Sequence, residues 1–163
     1  MAGMMDQLAE ILTEETQNYE DLLGLSLEKR DVIIQNDIDQ LQKINHLENI
    51  IISKNLKLEK KRIELVSDMA VVLCHKQTDL TLEDIITLMD GKEEQKLLID
   101  VRDKIKKVVL DLKEINIQNG QLIQNALEYI EFSNNLLRSN NAPLYPGHDD
   151  PLDTQGNYLD TTN

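Results

Sequence analysis

Cys74 and His75 carry the side chains best suited to ligating a metal or attacking a carbon centre, and they are adjacent in the chain. Neighbours on a helix point about 100° apart, so the two do not readily share one ion. His46 and His148 have no partner at the spacing of a zinc site. Cys74 is the single cysteine; it cannot close an intramolecular disulfide and reads as a small buried apolar residue. Covalent catalysis needs a nucleophile, a base and an orienting group held together, and no residues here suggest that set. No glycine-rich loop is available to cradle phosphates. The carboxylates Asp100, Asp103 and Asp111 stand among Lys104, Lys106 and Lys107, the pattern of a solvated helix face. The sequence therefore predicts no enzyme, no cofactor and no metal.

One stretch is chemically different. The thirteen residues 115–127, between Glu114 and Glu128, contain no charged side chain, and Gly120 sits in their middle. A glycine inside a helix costs about 1 kcal/mol relative to alanine. Two readings are open, and they are compatible. The stretch is the crowded centre of a helical bundle, with Asn116 and Asn119 hydrogen-bonding to neighbours, or it is a groove of amide and aliphatic side chains for a partner.

The elements that hold these residues are helices. Aromatics make up 3% of the 163 residues, with only six glycines and three prolines. A sandwich or barrel needs more turn residues and more aromatic or β-branched strands than that. A first helix is expected over residues 5–35, with Leu8, Ile11, Leu12, Tyr19, Leu22 and Leu23 on one side. Asp37 and Gln40 have capping-box spacing, which starts a second helix over 38–75. Its stripe is Leu41, Ile44, Ile51, Leu58, Leu65, Met69 and Val72, entered at seven-residue intervals by Glu48, Asn55 and Arg62. Polar residues repeated in a seam loosen it and specify register. Thr81 and Asp84 cap a short helix over 82–89 within a connector, and Asp90-Gly91 stops it.

The last helix, over 92–138, spans about 70 Å at 1.5 Å per residue. Leu98, Ile105, Leu112, Asn119, Ala126 and Ser133 fall at one heptad position, and Val101, Val108, Ile115, Leu122, Tyr129 and Leu136 at the other. Val109, Ile123, Ile130 and Leu137 widen this face beyond a two-stranded seam. The expected fold is all-α: an elongated antiparallel bundle of three long helices plus one short connector helix. Residues 1–139 form the bundle domain, and 140–163 a flexible, disordered acidic tail that cannot offset its ordering entropy.

With 17 Lys+Arg against 30 Asp+Glu, the net charge is −13, which argues against nucleic acid as a partner. No apolar run approaches a membrane span, and the start lacks the regions of a signal peptide, so a soluble cytoplasmic protein with no direct membrane insertion is expected. The acidity is uneven. Residues 1–36 hold eight acidic and two basic side chains, the tail holds four aspartates and no lysine or arginine, and residues 92–141 are balanced.

The chain resembles the FlgN-type flagellar export chaperones. The resemblance rests on Glu20-x-x-Leu23, Lys29-Arg30, Asp37-x-x-x-Leu41 and Glu59-x-x-Arg62. Its most telling part is Asn116-x-x-Asn119-x-x-Leu122-Ile123-x-x-x-Leu127-x-x-Ile130, and it runs over about residues 5–147. It implies a bacterial cytoplasmic protein that binds the C-terminal amphipathic helices of hook–filament junction proteins. It would prevent their premature assembly and deliver them to the flagellar type III export gate, a membrane protein met through its cytoplasmic domain. The candidate groove is Val108, Leu112, Ile115, Asn119, Leu122, Ile123, Ala126 and Ile130, whose neutrality removes the desolvation penalty of charges. The family's gate-docking aromatic after the last helix corresponds to Tyr145 in Leu144-Tyr145-Pro146-Gly147, with Tyr158 a weaker alternative. A structural helical module, such as a coiled-coil adaptor or self-associating scaffold, shares the heptads without needing a vacant groove, and homodimer formation is compatible with either reading.

Overall fold

The computed structural model describes residues 2–74, 80–89, 91 and 93–141. Every element among them is helical: α1 (Ala2–Ile34), α2 (Ile38–Cys74), α3 (Leu82–Leu88) and α4 (Glu93–Asn141). The expected all-α class, with three long helices and a short connector helix, holds. The chain forms two compact units, Met1–Leu122 and Ile123–Asn163. The first contains α1, α2, α3 and the beginning of α4; in the second the described residues are the last turns of α4.

A three-residue turn joins α1 to α2. Asn36 takes φ 55°, the left-handed conformation that asparagine tolerates better than most residues. The amide of Asn36 donates to the Ile33 carbonyl at 3.1 Å and that of Asp37 to the Val32 carbonyl at 3.2 Å, which closes α1 with a Schellman pair. Asp37 then starts α2, its Oδ1 accepting from the Gln40 amide at 3.1 Å. Only this half of the expected capping box forms, because the Asp37 amide is already committed to Val32. At α3 both halves are present between Thr81 and Asp84. The Thr81 hydroxyl, donating to Asp84 Oδ2 at 2.6 Å, and then the Thr81 amide, donating to it at 2.9 Å, hold the Asp84 carboxyl below its ordinary value.

Cross-helix contacts fix the directions within the first unit. Glu15 meets Arg62, Asn18 meets Asn55, and Ser26 and Lys29 meet Glu48. The α2 number falls as the α1 number rises, so the pair is antiparallel. Between α1 and α4 both numbers rise together, from Leu8 with Leu98 in one cluster to Ser26 with Asn119. Here α1 and α4 are parallel and α2 runs against both, as an up-down-up bundle requires. The core lies where all four helices converge: Leu8 and Leu12, Val66 and Met69, Ile85 and Ile86, Leu98 and Val101.

Some sequence expectations shift. Val72 is exposed rather than part of the α2 stripe, since the inner face at that end consists of Val66, Met69, Ala70 and Leu73. Ser139 does not stop α4: its hydroxyl donates back to the Leu136 carbonyl at 2.9 Å, and the helix runs on to Asn141. The side chains of Cys74 and His75 and the tail 142–163 lie outside the described residues. Asp90 lies outside them as well, while Gly91 takes φ 78°, a left-handed geometry suited to glycine in the turn before α4.

Candidate functional site

The neutral stretch of α4 is positioned by a polar node on α1. Ser26 is 1% exposed. Its hydroxyl lies 3.2 Å from Asn116 Oδ1 and 3.4 Å from Glu48 Oε1, while its carbonyl accepts from Asn119 Nδ2 at 2.8 Å. One small side chain therefore touches α2 and α4 at once. Asn119 is buried, and its Oδ1 has no hydrogen-bond partner among the described residues.

The same node belongs to a ladder between α1 and α2 formed by the three polar interruptions of the α2 stripe. Lys29 Nζ is 2.9 Å from Glu48 Oε2, Asn18 Nδ2 donates to Asn55 Oδ1 at 2.8 Å, and Arg62 Nε is 3.2 Å from Glu15 Oε2. A slip by one helical turn would break every rung and leave polar groups buried without partners, at about 1–3 kcal/mol each. Glu15 is the most enclosed carboxylate of the ladder. Burial raises its carboxyl above the ordinary value by more than the Arg62 guanidinium lowers it.

The folded chain thus holds the Glu15 proton more tightly than the unfolded chain. This contribution to stability is fully present below the ordinary carboxylate value and is lost as pH rises through the raised folded value. We expect Glu15→Gln, which keeps an acceptor for Arg62, to remove that loss. Urea midpoints of the two proteins followed from about pH 4 to pH 7 should diverge in favour of the variant as pH rises. Parallel curves would show that Glu15 ionises without cost.

The sequence-predicted groove residues fall in two groups. In the first unit, Val108, Leu112, Ile115 and Leu122 are half-buried and Asn119 is buried. In the second unit, Ile123 and Ala126 are half-buried and Ile130 is exposed. Tyr145 and Tyr158 lie outside the described residues. The second unit also exposes Leu127, Tyr129, Phe132, Leu136 and Leu137, which is an unusual concentration of large apolar side chains in water. Its remaining polar groups include Gln124, whose amide donates to Glu128 at 3.0 Å.

Gly120 is exposed, and a Cβ built on it meets no atom within 4 Å. Among the described residues, no neighbouring helix therefore approaches this glycine closely. Gly120→Ala is expected to raise the unfolding free energy by about 0.5–1 kcal/mol through helix propensity alone, read by urea titration. If a partner helix crosses at this point, the same variant binds that partner more weakly despite its higher stability.

Sequence reasoning did not single out Ser26, Glu15 or Asn18. A signal was available: continuing the α1 stripe from Leu8 and Leu12 at steps of three and four lands on Glu15, Leu22, Ser26 and Lys29. Among the described residues, no group of three or more His, Cys, Asp or Glu side chains could hold a metal ion. No described helix is long and apolar enough to cross a membrane.

Long heptad helices set in register by a polar ladder, with an apolar helix face exposed among the described residues, define an all-helical protein without strands among those residues. The family model described as FlgN protein matches residues 1–148, and the chain belongs to that family. FlgN proteins are flagellar export chaperones. Comparison with curated proteins and with solved structures finds no match.

Proposed function

We propose that this chaperone acts in the bacterial cytoplasm on hook–filament junction proteins. It holds their C-terminal amphipathic helices, prevents premature assembly and hands the subunits to the flagellar type III export gate. The observation that carries this reading is the run of uncovered apolar side chains on the last turns of α4, in a chain that belongs to the FlgN family. An aggregation-prone amphipathic helix gains most from such a face, because each leucine-sized side chain it buries contributes roughly 1.5–3 kcal/mol before association costs. The contacts assigned to it are Val108, Leu112, Ile115 and Leu122 on the first unit, and Ile123, Ala126 and Ile130 on the second; Asn119, expected in the groove, is buried and bonded to the Ser26 carbonyl instead.

Co-expression with a junction protein tests the proposal. A soluble complex that survives size-exclusion chromatography is expected. A chain that instead forms a tight homo-oligomer and ignores the junction protein would make it a self-associating scaffold.

Gate docking is assigned to Tyr145 by the family resemblance. A tail bearing an aromatic beside a proline suits reversible capture. Tyr145→Ala should leave junction-protein binding unchanged and weaken binding to the cytoplasmic domain of the gate protein about tenfold, measured by calorimetry. Equal loss at both partners would remove this division of labour.

A further inference from the structure

On α2, a second heptad-spaced row lies about a third of a turn round the helix from Glu48, Asn55 and Arg62. Lys43, Leu47, Ile50, Lys54, Lys57 and Lys61 follow one another at alternating steps of four and three residues, and all six are exposed. That alternation is the spacing by which one helix receives another. No described residue of this chain covers the row.

The row is also where the charge of the chain reverses. Residues 54–62 contain Lys54, Lys57, Lys60, Lys61 and Arg62 against Glu59 alone, in a protein of net charge −13. Arg62 is paired with Glu15, as Lys29 is with Glu48. Among the described residues, Lys54, Lys57, Lys60 and Lys61 make no ion pair. Lys54 and Lys57 are three residues apart and Lys57 and Lys61 four, spacings at which like charges oppose the helix. Lys61 also lines a cleft with Glu10 and Glu14 of α1.

We propose that this row docks an acidic amphipathic helix of another protein. Apolar residues of that helix cover Leu47 and Ile50, and its carboxylates lie opposite Lys54, Lys57 and Lys61. The row is about 27 Å long, or five turns, which is the footprint of a single helix. Carboxylates bound it: Glu64 and Asp68 follow Lys61 on α2 and share a cleft with Glu10 and Glu14 of α1. A flat anionic bilayer pressed on the row would bring far more negative charge against those four acids and the net charge of −13 than one acidic helix does. This surface is built on α2 alone and does not depend on the function assigned to α4.

The test uses the full chain and a fluorescent helical peptide about three heptads long, with leucine at the inner positions of one half and glutamate at those of the other. Fluorescence anisotropy should show binding that weakens with salt and is absent for the peptide carrying lysine in place of glutamate. The K54E/K57E/K61E variant, with circular dichroism unchanged, should lose about tenfold or more in affinity. Ile50→Ser keeps the charges and should also weaken binding. Capture of a junction protein is expected to be unaffected by either variant. Equal affinity for both peptides, no effect of the charge reversal, or a preference for vesicles of phosphatidylglycerol and phosphatidylcholine would each overturn the proposal. So would a homodimer in sedimentation equilibrium that the charge reversal dissolves.

Discussion

Leu98→Ala is expected to lower the free energy of unfolding by about 2–5 kcal/mol. Leu98 is 1% exposed and sits in the cluster that joins Leu8 and Leu12 of α1, Met69 of α2 and Ile85 of α3. Truncation removes the transfer energy of its side chain and leaves a cavity walled by four separate helices. None of them can move in without pulling away from another neighbour. Leu110→Ala, on an exposed position of the same helix, supplies the control and should change stability by no more than about 0.5 kcal/mol. Urea unfolding followed by circular dichroism reads both. Equal, small effects would place the core elsewhere.

Ile130→Asp carries the largest expected effect on binding. Ile130 is 54% exposed, so an aspartate there should leave the stability of the free chaperone within about 0.5 kcal/mol of the parent. If a junction-protein helix covers this position, the variant loses the burial of the isoleucine and must also desolvate a carboxylate. Together these weaken capture by roughly a hundredfold or more. Calorimetry against a purified junction protein measures it. Unchanged affinity in a folded variant would move the docking face off Ile130. Leu122→Asp is expected to abolish capture as well, but Leu122 is half-buried, so its loss of binding mixes with loss of stability.

The fold was legible where a single rule decides. Thr81 and Asp84 announced the start of α3 because a capping box is a local device, needing only the residues it contains. The α2 stripe was legible for the same reason, since its periodicity records which face is buried. Val72 failed because the inward face at that end is set by α3 and the start of α4, which the α2 sequence does not contain. Glu48, Asn55 and Arg62 could be read as register-setting residues, whereas their partners Lys29, Asn18 and Glu15 required the pairing of α1 with α2. Asn119 shows the same division. Its presence in a neutral stretch marked it as unusual, but that it donates to the Ser26 carbonyl depends on the approach of two helices distant in sequence. The row on α2 from Lys43 to Lys61 was masked by the stronger apolar stripe beside it.

The short turn at Gln35, Asn36 and Asp37 bears on how the molecule comes into being. It lets α1 and α2 find each other across a minimal loop, whereas the bond between Asn119 and Ser26 joins residues 93 positions apart. Closing a longer loop costs more chain entropy, and contacts between distant residues form more slowly. Synthesis proceeds from the N-terminus, so the hairpin can be complete on the ribosome while α4 is still unmade. The helix assigned to client capture is thus the last to be made and the last to dock. If α4 takes the client as proposed, the half-finished chain is a scaffold without a grip, and it gains one only when the register-setting hairpin already exists.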